Sequence, residues 1–157
     1  MSLSRLRVLR IAKQFVPYLQ QIALILSAAG LAFHFMQYQN ARQLLIVGLS
    51  ILSAAYFVWT FLPVDTPPHS TPDKYSILVH RLIYLSCSVL LVGVLYTYFN
   101  LVGHHEMLLI SGISLLVSLA AAIFLMIQKR ENYVTLRDSL IRGFSTALLG
   151  LLALSVN

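Results

Sequence analysis

Apolar residues in this chain gather into long unbroken runs. Four stand out: Phe15 to Met36, Leu44 to Leu62, Tyr75 to Phe99 and Met107 to Ile127. The hydrocarbon core of a bilayer is about 30 Å thick, so a spanning helix needs roughly 20 apolar residues. Each run predicts one such helix. The stretches Gln37 to Gln43 and Asn100 to Glu106 are short and polar, and short turns force antiparallel neighbours. Between the second and third runs, Pro63 to Lys74 holds four of the five prolines: Pro63, Pro67, Pro68 and Pro72. Proline breaks helices from within, so this segment links two hairpins. Thr71-Pro72-Asp73 reads as the N-cap and first positions of the third helix, where proline lacks nothing and an acid meets the positive helix end.

The last apolar stretch, Gly143 to Val156, would reach only about 21 Å as a helix at 1.5 Å per residue. It predicts a fifth helix, over residues 136–156, that is either interfacial or spanning. Spanning requires Leu140 and Ile141 to join the run and Arg142 to snorkel inward. The charged stretch Gln128 to Ser139 reads as a short cytoplasmic connection.

One block occurs twice. Leu44-Leu45-Ile46-Val47-Gly48-Leu49-Ser50 reads again as Leu108-Leu109-Ile110-Ser111-Gly112-Ile113-Ser114, and Gly30 and Gly93 precede the two copies at nearly the same distance. The expected fold is therefore an all-α integral membrane protein. It would be two tandem, parallel-repeat hairpins over residues 14–62 and 75–128, joined by the linker 63–74 and followed by the fifth helix. Both hairpins start on the same side, so their relating axis lies along the membrane normal. Small residues recur at helical spacing: Ser27 to Gly30, Ser50 and Ala54, then Ser114, Ser118 and Ala122. Such faces let backbones approach closely, within the chain or across a homo-oligomer seam.

Composition agrees. The chain has 157 residues, of which 59% are hydrophobic and 10% charged, with mean hydropathy +0.82. Soluble domains carry about 25% charged residues, and a chain this short leaves much of its surface uncovered. Lipid must cover the rest. The net charge of +6 sorts by side instead of forming a nucleic-acid patch. With the N-terminus inside, the inner side carries ten of the eleven Lys and Arg residues: Arg5, Arg7, Arg10, Lys13, Lys74, Arg81, Lys129, Arg130, Arg137 and Arg142. Only Arg42 lies outside, which orients the chain in a cytoplasmic-type inner membrane. A spanning fifth helix would put the C-terminus outside. The basic start followed by an apolar run has the outline of a signal peptide, but the run is too long, and it reads as a retained first helix. Aromatic residues cluster at both boundaries: Phe33, Phe35, Tyr38, Tyr96, Tyr98 and Phe99 outside, Phe15, Tyr18, Trp59, Phe61 and Tyr75 inside.

The stretch from Gly30 through Phe33, His34, Met36, Tyr38, Ala41 and Leu44 to Gly48 resembles the hairpin of GldL-type membrane proteins of gliding motility and type IX secretion. Those read roughly G-x-x-F-K-x-x-H-W-P-G-A-x-x-L-I-x-G. Gly30, Phe33, Ala41, Leu45 and Gly48 match in kind. Gln37 to Asn40 replaces the H-W-P-G turn, and the glutamate that family carries within the membrane has no counterpart in a span here. The resemblance covers about a third of the chain. It implies a hairpin fold, and it carries over no functional residue.

Few polar residues offer chemistry. Ionisable groups inside a bilayer are functional candidates by default. His34, His104, His105 and Glu106 fall on one side at similar depth, and imidazole with carboxylate suits zinc, copper or iron. Two facing histidines also suit a haem. Adjacent helical residues diverge by about 100°, so a site would use His34 with one of His104 and His105. A second set, Arg7, Arg10, Lys74, His80 and Arg81, lies near the inner face and suits anionic lipid or phosphate. His80 is also one turn from Tyr84, a hydrogen-bonding distance on a helix. Gln20 and Gln21 are amides that need partners in lipid. The lone cysteine, Cys87, reads as a buried hydrophobe, and Asp65, Asp73 and His69 fit no catalytic signature.

No cofactor is expected, and no nucleic-acid partner. The leading expectation is a non-enzymatic structural or assembly subunit, with the bilayer, a second copy or another membrane protein as partner. The alternatives are a transporter or channel for a neutral or apolar solute, and a metal or haem protein using the outer histidines.

Overall fold

Long apolar runs shield their backbone from water, and a helix closes the N–H and C=O groups internally. The computed structural model describes residues 3–63, 74–128 and 133–155, with side chains over 14–63, 74–128 and 136–152. The described residues form five helices and no strand: α1 Leu3–Phe35, α2 Ala41–Phe61, α3 Lys74–Tyr98, α4 His104–Gln128 and α5 Tyr133–Ser155. Four stretches are long and apolar enough to cross a membrane: Gln14–Phe35, Ala41–Phe61, Lys74–Tyr98 and His104–Gln128. Pro17 lies inside α1, close to where its basic first part gives way to the apolar second part. The expected cap at Thr71 to Asp73, and most of the linker, lie outside the described residues.

Both hairpin turns are shorter than the polar residues suggest, because α2 and α4 begin three residues before their apolar runs. α1 ends in a left-handed residue, Gln37 (φ 59°), and α3 in Asn100 (φ 51°). Around Gln37, the Tyr38 N–H donates to Phe33 O at 3.1 Å and the Gln37 N–H to His34 O at 2.9 Å. Around Asn100, the Leu101 N–H donates to Tyr96 O at 3.0 Å and the Asn100 N–H to Thr97 O at 3.1 Å. This pair of bonds is the Schellman closure of a helix, usually built on glycine. At the first turn the Phe33 and Tyr38 rings pack at 5.6 Å, supplying the apolar contact that accompanies the motif.

Glycines set the spacing of α1 and α2. A Cβ on Gly30 would stand 2.7 Å from the Leu45 backbone nitrogen, and one on Gly48 would stand 2.7 Å from that of Ser27. Gly93 meets Leu108 of α4 in a similar way, with a side-chain carbon at 3.1 Å. Gly112 breaks the pattern: a Cβ there meets nothing within 4 Å. Burial explains why. Gly48, Leu52, Ala55 and Tyr56 are buried in α2. In α4 the inward residues are Ser111, Leu115, Ser118 and Leu119. These four pairs match at a spacing of 63 residues, which also separates Gln37 from Asn100 and the start of α2 from that of α4. The repeated sequence block matches at 64, so it sits about 100° further round α4 than round α2.

α3 is the central helix and packs against α2, α4 and α5. Ile83, Cys87, Leu91 and Val94 are fully buried along it. Antiparallel α2 and α3 are clasped by two serines. Ser53 Oγ donates to Ser88 O at 3.1 Å, and Ser88 Oγ donates back to Ser53 O at 3.0 Å. At the turn end of the bundle the Arg42 guanidinium bonds the Tyr98 carbonyl. α5 runs parallel to α3: His80 meets Ser139, Gly143 meets Ile83, and Gly150 meets Leu90 and Val94. These contacts join residues 56 to 60 positions apart, so the two helices run side by side in one direction. Apolar residues such as Phe15, Ile25, Leu109, Leu116 and Phe124 remain exposed, a surface too greasy for water alone.

Candidate functional site

The polar side chains within the helices converge between α1, α2 and α5, toward the linker end. Gln20 of α1 is buried and turns onto α2, with Nε2 3.5 Å from Tyr56 Oη. Thr146 Oγ1 of α5 is 2.9 Å from the same phenol and 2.8 Å from the Arg142 carbonyl of its own helix. Arg142 Nη1 donates to Gln20 Oε1 at 2.9 Å. Its guanidinium lies over the Trp59 ring, 4.9 Å from the centroid. Trp59 in turn stacks on Tyr84 of α3 at 5.9 Å. Three separate helices thus meet α5 through one connected set of polar and aromatic contacts. A recess of about 240 Å³ opens beside it, lined by Pro17, Gln20, Gln21, Leu24, Tyr56, Ile141, Arg142 and Ser145.

Arg142 therefore behaves differently from the snorkelling side chain that a fifth span calls for. It is half-buried and held by Gln20 and Trp59. Trp59, expected in an interfacial belt, is likewise turned partly inward, as is Tyr98 at the other end. The pairing was missed from sequence because Gln20 and Arg142 are 122 residues apart. The available signal was that each is a strongly polar group beside or within an apolar run.

His80 also faces inward. It is buried, its Nδ1 is 2.6 Å from Ser139 Oγ of α5, and its ring meets Tyr84 edge-on at 4.7 Å. It is not placed to meet a lipid headgroup, because packing by α5 covers it. A serine beside a histidine evokes nucleophilic chemistry, but Ser139 has no exposed surface. The contact joins α3 to α5. Lys74 and Arg81 are exposed at the linker end. Arg7 and Arg10 lie in the part of α1 whose side chains are outside the described residues.

At the turn end, His104 Nδ1 donates to Leu101 O at 2.9 Å, and the His104 and His105 rings pack 4.0 Å apart. His34 is half-buried at the end of α1, and Glu106 is exposed in the first turn of α4. Among the described residues, no three His, Cys, Asp or Glu side chains are grouped so that they could hold a metal ion. Cys87 is free and buried on α3. No family model, curated protein or solved structure matches this chain.

Proposed function

We propose that the chain is a non-enzymatic membrane protein of five spans, serving as a small structural or assembly subunit. One observation carries this reading. Several polar groups inside the helices are paired with one another across helix boundaries: Ser53 with Ser88, Gln20 with Tyr56 and Arg142, Thr146 with Tyr56, and His80 with Ser139. Interhelical hydrogen bonds of this kind hold membrane bundles together. They leave no acid–base pair facing a recess among the described residues.

The fifth span is supported by the parallel register of α5 on α3. At 1.5 Å per residue, the 23 residues of α5 extend about 34 Å. Their matching turns and burial support reading the two hairpins as a parallel repeat of 63 residues. The ten-to-one distribution of basic residues supports an N-terminus on the cytoplasmic side of an inner membrane.

A subunit of an assembly must be found with its partners in the membrane where it works. Cross-linking in native membranes, followed by mild solubilisation and mass measurement, should give a defined species heavier than one 17.6 kDa chain. A chain that stays monomeric there, and that drives solute uptake when reconstituted alone, contradicts the proposal and makes it a transporter.

A further inference from the structure

Arg142, which lines the recess, carries more hydrogen-bond donors than the protein answers. A guanidinium offers five N–H groups. Among the described residues, Arg142 donates one of them to Gln20 and rests its face on Trp59. Neither partner is an anion. Asp138, one turn earlier on α5, is exposed and forms no ion pair with it. Gln20 Nε2 has only a long contact, 3.5 Å, to Tyr56, weak by the geometry of amide donors.

An arginine within a bundle normally pairs with another charge or with backbone carbonyls. A site with surplus donors and a positive charge that no described residue pairs suits a ligand that only accepts. Phosphate fits best, because the guanidinium fork matches its oxygens. Access is sideways. α1 and α5 are not among the closely packed helix pairs, and the recess lies between them, with Gln21 and Ser145 lining it and exposed.

We infer that this recess binds the phosphate of an anionic ligand, with Arg142 as its charged donor. The apolar part of the lining, Pro17, Leu24 and Ile141, suits the glycerol end of an anionic phospholipid. A soluble phosphate ester shares the chemistry. The lipid source rests on the membrane reading above. If that reading fails, cysteine labelling shows it, whereas failure of the site shows in binding.

The chain has one tryptophan, and it lies under Arg142, so Trp59 emission reports occupancy. The full chain, delipidated in uncharged detergent, is titrated with phosphatidylglycerol, phosphatidylcholine and glycerol 3-phosphate. A saturable change with phosphatidylglycerol alone supports the site with a lipid source. The same change with glycerol 3-phosphate supports it with a soluble source. In either case Arg142→Gln should raise the half-saturating concentration at least about tenfold, the loss of one charge-assisted contact. Arg81→Gln, on an exposed side chain, should not. If Arg142→Gln fails to fold, Ser145→Phe blocks the recess without touching the Arg142–Gln20 bond and should abolish the response. An equal response to phosphatidylcholine, no saturable response, or an unchanged midpoint in both recess variants overturns the inference.

Discussion

At Gly30 and Gly48 the backbones of α1 and α2 are so close that a single methyl group has nowhere to go. Overpacking a tight contact costs about 1–3 kcal/mol. Gly48→Ala should therefore lower the midpoint of unfolding in detergent. Gly112→Ala should leave it unchanged or raise it, since its Cβ meets open space and alanine gains up to about 1 kcal/mol over glycine in a helix. Equal losses at both would show that the two glycines sit alike after all. The contrast also marks a limit of the sequence. Gly30 is legible within the small-residue run Ser27 to Gly30, but on α2 the expected small residues Ser50 and Ala54 are exposed and the close approach falls on Gly48. Gly112 looks like the partner of Gly48 in the repeated block, yet one residue of slip on a helix turns a side chain by about 100°. Letter matches among similar apolar residues cannot fix that slip. The turns fix it, through Gln37 and Asn100.

Among the elements, the joints of α3 decide the arrangement. The Ser53–Ser88 clasp joins α3 to α2 in both directions. Hydrogen bonds between membrane helices average about 0.6 kcal/mol. Replacing either serine by alanine should cost about that much, and a double-mutant cycle should give a coupling near the same size. Additive losses would mean that the serines act only by being small. The joint with α5 is of another kind. A Cβ on Gly143 would stand 2.9 Å from Leu119 and 3.3 Å from Ile83. Gly143→Leu should pry α5 from α3 and α4, which limited proteolysis within α5 would detect. Unchanged protection would contradict the packing. The four apolar runs were legible because lipid demands about 20 apolar residues of any spanning helix. α5 was ambiguous because Arg142 interrupts its apolar run. The charge is accommodated by Gln20 and Trp59, on helices far away in sequence, and no local pattern reveals them.

For the whole molecule, α5 packs in the bundle against α3 and α4, and in the proposed arrangement it carries the chain across once more after the second hairpin. The polar network between α1, α2 and α5 depends on it. Tyr56→Phe removes the hydroxyl shared by Gln20 and Thr146; Thr146 keeps the Arg142 carbonyl, so the loss should be about 1 kcal/mol, the net worth of one hydrogen bond. It should loosen α5 without unfolding the hairpins, as seen by faster amide exchange in α5 than in α3. Equal exchange in both helices would oppose that assignment. The most direct test is topology. In a Cys87→Ala background, single cysteines at Val102, Lys74 and Ser155 are exposed to a membrane-impermeant maleimide in oriented vesicles. Val102 is 99% exposed in the second turn and Lys74 begins α3; Ser155 ends α5. The account predicts that Val102→Cys and Ser155→Cys react from one side and Lys74→Cys from the other. Labelling of Ser155→Cys and Lys74→Cys from the same side would mean that α5 does not cross, and the five-span bundle would be wrong.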